Sequence, residues 1–455
     1  MGQPSVLAPE IAAQPEARPE SAAERRPESR RRALLLGGLV VLVILIGALL
    51  RWNGALVGGD VADVAAYRGH VELTRSGRNV YASEIRYPYF PGWLAVEMAV
   101  YELSVQWRLP FWQAVRGAIV VGDVLLCFAL WWAAGRAWGP ARGRWAAAVY
   151  ALNPIAILVS GYHGQFDALP SLFSVLAAGF LVGRRPRALP AGLLLGVAMA
   201  LKPFPALLVP VFVRAQGLSL AARALVGGLA LGLVGAVTAP YLLADALGVA
   251  QNIGGYGGLN DQGLGGLMRA LWLERAGNLY LPGAFGNEIS ATTRWLALAV
   301  IGLTFLLTLD APVPRAAAAV YLAFLSVFGG VSTQYLIWPL PWLLLSGLSP
   351  LWAIWYGFAA AAGAVGFYVV YWPQMILGPP WRGPLPENAL IFVVGQALCW
   401  LGILTTWLAS IGRGFLTLRR SWLALIALLL TLAAAYPVAA QVVWFSREWL
   451  RWVPR

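Results

Sequence analysis

With 455 residues, 60% of them hydrophobic and only 12% charged, the chain carries about half the charged fraction of a soluble domain, which is roughly 25%. Its apolar runs are long enough to cross a bilayer repeatedly, which excludes a water-soluble globular enzyme. The formal net charge of +13 would suit nucleic acid, but the arginines lie in short loops between apolar runs, where they fix membrane orientation; no nucleic-acid partner is expected.

The expected fold is an all-α polytopic membrane protein with about thirteen transmembrane helices and a large first outer loop. Residues 1–32 are rich in Pro, Ala, Glu and Arg without apolar periodicity and read as a disordered cytoplasmic tail. Arg25, Arg26, Arg30, Arg31 and Arg32 precede the apolar run 33–50, which reads as a signal-anchor helix with a cytoplasmic N-terminus. The chain then emerges outside at "GGDVADVAAYRGHVELTRSGRNVYASEIRYPYFPGW" (58–93), a dense patch of charge and tyrosine in a charge-poor sequence.

The segment 89–104 is apolar, but Pro88 and Pro91 break it and it carries Glu97 and Glu102. Two carboxylates in mid-membrane are costly, so it reads as interfacial or re-entrant, and the first full return to the cytoplasm is 111–134. From there the sides alternate. "GRAWGPARGR" (135–144), "GRRPR" (183–187), the segment with Arg214 and Arg223, "DAPVPR" (310–315) and "GRGFLTLRR" (412–420) fall inside. "GYHGQFDALP" (161–170), "LKPFP" (201–205), the loop 241–294, "STQYLIWPLP" (332–341) and the loop 373–388 fall outside. The arginine-dense loops land in the cytoplasm, as the positive-inside rule requires, except for the C-terminal "SREWLRWVPR". Beyond the tail, the expected division is a catalytic transmembrane module, 33–348, with outer loops 53–110 and 241–294, followed by C-terminal transmembrane helices, 349–455.

Sorted by side, the unusual polar residues gather outside. Asp60, Asp63, Tyr67, Tyr87, Tyr89, His163, Gln165, Asp167, Lys202, Asn260, Asp261, Gln334 and Tyr335 all map to the outer face or just below it, while the cytoplasmic loops hold little but Arg, Gly and Pro. Each has an ordinary alternative. Asp60 and Asp63 suit helix N-caps, Asp167 suits the cap of the helix starting near Ala168, and a lone histidine is more often structural than catalytic. Lys202, the single lysine of the chain, suits snorkelling to the interface, and "QYLIWPLP" suits an aromatic belt. Taken together, a polar set drawn from many loops to one face reads as a site.

Its chemistry suits transfer from a phosphorylated lipid. An outer carboxylate can deprotonate a hydroxyl acceptor as general base. A lysine at a helix end beside Pro203 and Pro205 suits a phosphate as a point charge. Tyr67, Tyr87 and Trp338 suit stacking on sugar rings. Cys127 and Cys399 lie inside apolar runs, which argues against a disulfide framework or a metal knuckle. No metal is assigned, although His163 with Asp167 leaves a divalent metal open.

The stretch "DVAAY", then Gly77, "VY" and "YPYFP", resembles the first outer loop of the C-type (GT-C) glycosyltransferases. The likeness is greatest to the mannosyltransferases of GPI-anchor synthesis and their bacterial relatives. It continues through "NPIAILVSGYHGQFDALP", "ALKPFPALLVP" and "VSTQYLIWPLP" in the family's order, covering about 58–341. The resemblance implies a sugar donor on polyprenyl phosphate, used outside the cytoplasm, with an acid of the first loop as base. Asp63 best matches that acid and Asp60 is second; Lys202 matches the lysine before the Pro-rich helix start, and Gln334–Tyr335 match a late Gln-Tyr pair.

The expected activity is thus an inverting transfer, with mannose the expected sugar, from a polyprenyl-phosphate donor to a lipid-linked or glycan acceptor at the outer face of the cell membrane. Asp63 and Asp60 are the catalytic candidates, and Lys202, Gln334 and Tyr335 the donor-phosphate ligands. Tyr67, Tyr87, Tyr89, His163, Gln165 and Asp167 are the substrate-binding candidates, and membrane lipids surround the whole. A lipid-linked-sugar flippase would also break its helices, but it should show internal repeats and mid-membrane charge. A non-catalytic assembly subunit would keep the spans without needing a carboxylate at position 63.

Overall fold

The computed structural model describes residues 25–183, 185–276, 283–377 and 384–412. Among these it has no β-strand, and the one isolated bridge pairs Gln262 with Val331. The chain opens with α1 (Arg25–Gly58), which takes in the last arginines of the expected tail, followed by α2 (Ala62–Arg75) and α3 (Pro91–Gln106). Next come α4 (Phe111–Trp138), α5 (Pro140–Ala151), α6 (Pro154–Ile157), α7 (Ala168–Leu181), α8 (Ala188–Leu201), α9 (Val209–Val213) and α10 (Leu220–Val249). The remainder is α11 (Gly263–Ala276), α12 (Gly283–Leu307), α13 (Val313–Val327), α14 (Pro339–Leu345), α15 (Pro350–Tyr371), α16 (Gln374–Leu377) and α17 (Ala389–Ile411).

The chain is a multi-pass membrane protein. Six described helices (α1, α4, α10, α12, α15 and α17) are long and apolar enough to cross a membrane, and a pair bent by 50° at Asn153 makes a seventh if it counts as one span. Four shorter apolar helical stretches, including α7, α8 and α13, fall below the ~20 residues that a 30 Å hydrocarbon core requires. The expected thirteen included such short runs. The last expected spans, the "GRGFLTLRR" loop beyond Gly412 and the C-terminal segment lie outside the described residues, as does most of the tail.

The segment 89–104 is not among the candidate spans. It supplies most of α3, which folds back on α2 as a helical hairpin. Val64, Tyr67 and Val71 of α2 are buried at helical spacing and form its core face. Both α3 carboxylates bond to α2: the buried Glu97 lies 3.3 Å from His70 Nδ1, and Glu102 pairs with Arg75 at the surface. A compact aromatic cluster fills the hairpin, with Trp93 stacked on Phe166 at 3.6 Å. Gly92 lets α3 approach α8, where a side chain would meet the carbonyl of Ala200. Further down, Arg51 of α1 pairs with Asp123 of α4, and Tyr150 of α5 donates to the same carboxylate at 2.5 Å. All three are buried, so this network ties α1, α4 and α5 together where unpaired charge would be prohibitive.

Candidate active site

The C-terminal ends of α1, α8 and α15 and the N-terminal ends of α4 and α7 meet at one end of the bundle. Helix ends are where polar groups can project without disrupting the apolar surface of a span. Asp63 stands in the first turn of α2, beside unpaired backbone N–H groups that favour a carboxylate. His163 closes a π-helical turn, Leu158–His163, which Gly164 terminates in the left-handed region at φ +77°. Such turns recur at functional sites. Gln165 and Asp167 follow before α7, and Lys202 caps α8 where Pro203 ends the helix.

Two polar pairs organise the site. His163 Nε2 lies 2.7 Å from Asp63 Oδ2, and its Nδ1 lies 2.6 Å from the hydroxyl of Tyr368. Lys202 Nζ donates to Asp167 Oδ2 at 2.7 Å and to Gln165 Oε1 at 3.2 Å, while Trp338 Nε1 donates to Asp167 Oδ1 at 2.6 Å. Burial pushes Asp63 upward. The hydrogen bond from His163, with Gln165 and Lys202 behind it, more than offsets this and holds the carboxyl below its usual range. Asp261 is pushed up to about 7 by burial, against the pull of Arg269 at 2.8 Å.

A cavity of about 840 Å³ opens over the first pair. Asp60, Asp63, Tyr67, Tyr89, His163, Gln165 and Gln334 all line it. Alongside runs a narrower groove of about 270 Å³, walled by apolar residues such as Leu207, Ile301, Phe324 and Phe328. Its described charges are Lys202 and Arg294, both cationic. Tyr89, Tyr256 and Gln334 line both spaces, so the polar cavity and the apolar groove share a wall. Tyr335 and Trp338 also line the groove, their rings stacked 4.1 Å apart.

Two of the expected substrate ligands line neither space. Tyr87 is fully buried among His70, Tyr81 and Tyr89 and donates to the carbonyl of Phe90, so it braces the first loop. Asp167 is fully buried between Lys202 and Trp338 and serves as the lysine's counter-ion. His163 and Asp167 therefore face different partners, and among the described residues no three metal-ligating side chains gather. Sequence reasoning missed Tyr368, Tyr256, Arg86, Arg269 and Arg294. Tyr256 had a signal, the glycines on both sides of it in "GGYGG"; Tyr368 sits inside an apolar span and had none.

The sequence profile of glycosyltransferase family 87 matches residues 87–339, more than half of the chain. The chain belongs to glycosyltransferase family 87. The matched region takes in His163, Gln165, Lys202 and Gln334, whereas Asp60 and Asp63 stand just before it. This family 87 protein is a glycosyltransferase, in agreement with its resemblance to the C-type enzymes. The crystal structure of ArnT from Cupriavidus metallidurans bound to undecaprenyl phosphate is similar over 83% of this chain and 78% of that chain, with 16% identity and a TM-score of 0.46. No curated protein matches the family 87 chain.

Proposed function

We propose that this family 87 glycosyltransferase moves a sugar, with mannose the first candidate, from a polyprenyl-phosphate donor to a hydroxyl of a lipid-linked or glycan acceptor at the extracytoplasmic face. The observation that carries the reading is the shared wall between an apolar, cationic groove and a polar cavity containing Asp63. A donor with an apolar tail, an anionic phosphate and a sugar needs those three environments in that order. Lys202 has three ammonium protons, and Asp167 and Gln165 take two. The third, with Arg294, is available to the donor phosphate in the groove.

Asp63 acts as general base in a single displacement. It takes the proton from the acceptor hydroxyl as that oxygen bonds to the anomeric carbon. The bond from the anomeric carbon to the phosphate oxygen breaks with its electron pair, polyprenyl phosphate departs as an anion, and the anomeric configuration inverts. A carboxyl held below its usual range is ionised at neutral pH, as this role demands.

The test is to incubate purified protein with a panel of polyprenyl-phosphate hexoses and a membrane lipid extract, then follow products by mass spectrometry. One donor should yield a hexosylated acceptor of inverted configuration together with free polyprenyl phosphate. Transfer with retention, or consumption of a nucleotide sugar in place of every polyprenyl donor, would overturn the proposal.

A further inference from the structure

Asp63 receives support from two side chains far away in sequence, His163 directly and Tyr368 through it. An ionised carboxylate only accepts hydrogen bonds, so for the 2.7 Å contact to hold, His163 Nε2 must carry a proton. In a neutral imidazole Nδ1 then holds the lone pair, and the Tyr368 hydroxyl 2.6 Å away donates to it. The three groups make one self-consistent chain, Tyr368 to His163 to Asp63. The Oδ2 atom of Asp63 is held by it, and the carboxylate keeps lone pairs to accept from an acceptor hydroxyl.

The backbone is braced to match. Arg116 of α4 is fully buried, and its guanidinium donates to the carbonyl of Gly59 at 2.7 Å and to that of Gly161 at 2.6 Å. Gly59 lies just before α2, which carries Asp63; Gly161 lies in the π-helical turn that ends at His163. One cation thus fixes both strands of chain that must stay in register for the Asp63–His163 bond to form. A side chain at Gly164 would press on that same guanidinium, which explains the glycine beyond its backbone angle.

We propose that Tyr368 and His163 are positioning residues for the Asp63 base: Tyr368 selects the imidazole tautomer, and His163 orients the carboxylate through its 2.7 Å bond. This deepens the reading of Asp63 given above and rests on it. The charges acting on Asp63 from other elements are Lys202, Asp261 and Arg116, with Asp60 beside Arg116; all stay in place in the variants below. The His163 hydrogen bond favours the ionised Asp63 carboxyl, so weakening it moves that carboxyl upward.

The experiment compares wild type, Tyr368→Phe, His163→Gln and the double variant by kcat, donor KM and the pH profile of kcat/KM, with thermal unfolding as the control for folding. Phenylalanine keeps the ring packed edge-on against the imidazole, and glutamine keeps a donor near Asp63 but gives Tyr368 no ring nitrogen to fix. Tyr368→Phe should lower kcat by roughly tenfold, part of what a general base supplies. Donor KM should stay within about twofold, and the acid limb should move toward neutral pH. Because Tyr368 acts through His163, the double variant should be no slower than His163→Gln alone. Wild-type kcat with an unmoved acid limb in both single variants would overturn the inference, as would losses that multiply in the double. Full activity in Asp63→Asn is a separate result that removes the base itself and the pair with it.

Discussion

Lys202 and Asp167 form an ion pair at 2.7 Å, with the lysine side chain 6% exposed and the aspartate not exposed at all. The single lysine of the chain is therefore held in place by a counter-ion and does not snorkel to the interface. It spends one proton on a carboxylate that Trp338 also holds, and it lies over the ring of Phe166 at 4.6 Å. Its removal should have two separable effects. Lys202→Ala strands a buried carboxylate, a loss of about 3 to 5 kcal/mol for breaking a buried pair, and also weakens donor binding. Pairing it with Asp167→Asn should restore thermal stability while donor affinity stays low. If the double variant recovers both, as read by thermal unfolding and by binding of a polyprenyl-phosphate sugar, the lysine is structural only.

The two aspartates of the first loop differ in surroundings. Asp63 is bonded to His163, whereas Asp60 is exposed and pairs at 3.3 Å with Arg68, also largely exposed. Asp63→Asn should fold, bind donor and lose turnover by roughly two orders of magnitude or more. Asp60→Asn should lose little, as an exposed ion pair contributes about 0 to 1 kcal/mol. Steady-state transfer rates decide between them, and the reverse ranking would exchange the two assignments.

Glu97 provides a pH signature of the α2–α3 hairpin. Burial pushes it from 4.5 up to about 7, with His70 and Trp93 pulling the other way. Between those values the folded chain binds more protons than the unfolded one, so stability is full at the acid end and declines as pH rises through about 7. Glu97→Gln should cancel that decline. The measurement is Tm in detergent across this range, and a difference from wild type that stays constant with pH would contradict it.

Topology is accessible to labelling, since Cys127 and Cys399 are both buried and give no background. Cysteines at Ser76 and Leu259, both exposed, should react with an impermeant thiol reagent on intact cells, and one at the exposed Ala141 only after permeabilisation. External labelling at Ala141 would mean that α3 crosses the membrane after all and would invert every later loop.

The helical, membrane-spanning character was readable from the sequence alone, because the length and apolarity of a run are local properties that the bilayer itself selects. So was the gathering of Asp63, His163, Gln165, Lys202 and Gln334 at one face, since alternating spans and arginine-rich loops sort residues by side without any knowledge of packing. That the segment 89–104 falls outside the candidate spans was legible too, from two carboxylates that hydrocarbon would penalise. What each residue does there was not. Asp167 and Tyr87 share the face with Asp63, yet they point into protein rather than into a cavity. Tyr368 looks like any tyrosine in an apolar helix until α15 is packed against the π-helical turn. A side chain's direction at a helix end depends on how that helix is rotated and crossed by its neighbours. Partners 100 and 205 residues apart, as in Asp63–His163 and His163–Tyr368, are therefore decided only by the assembled bundle.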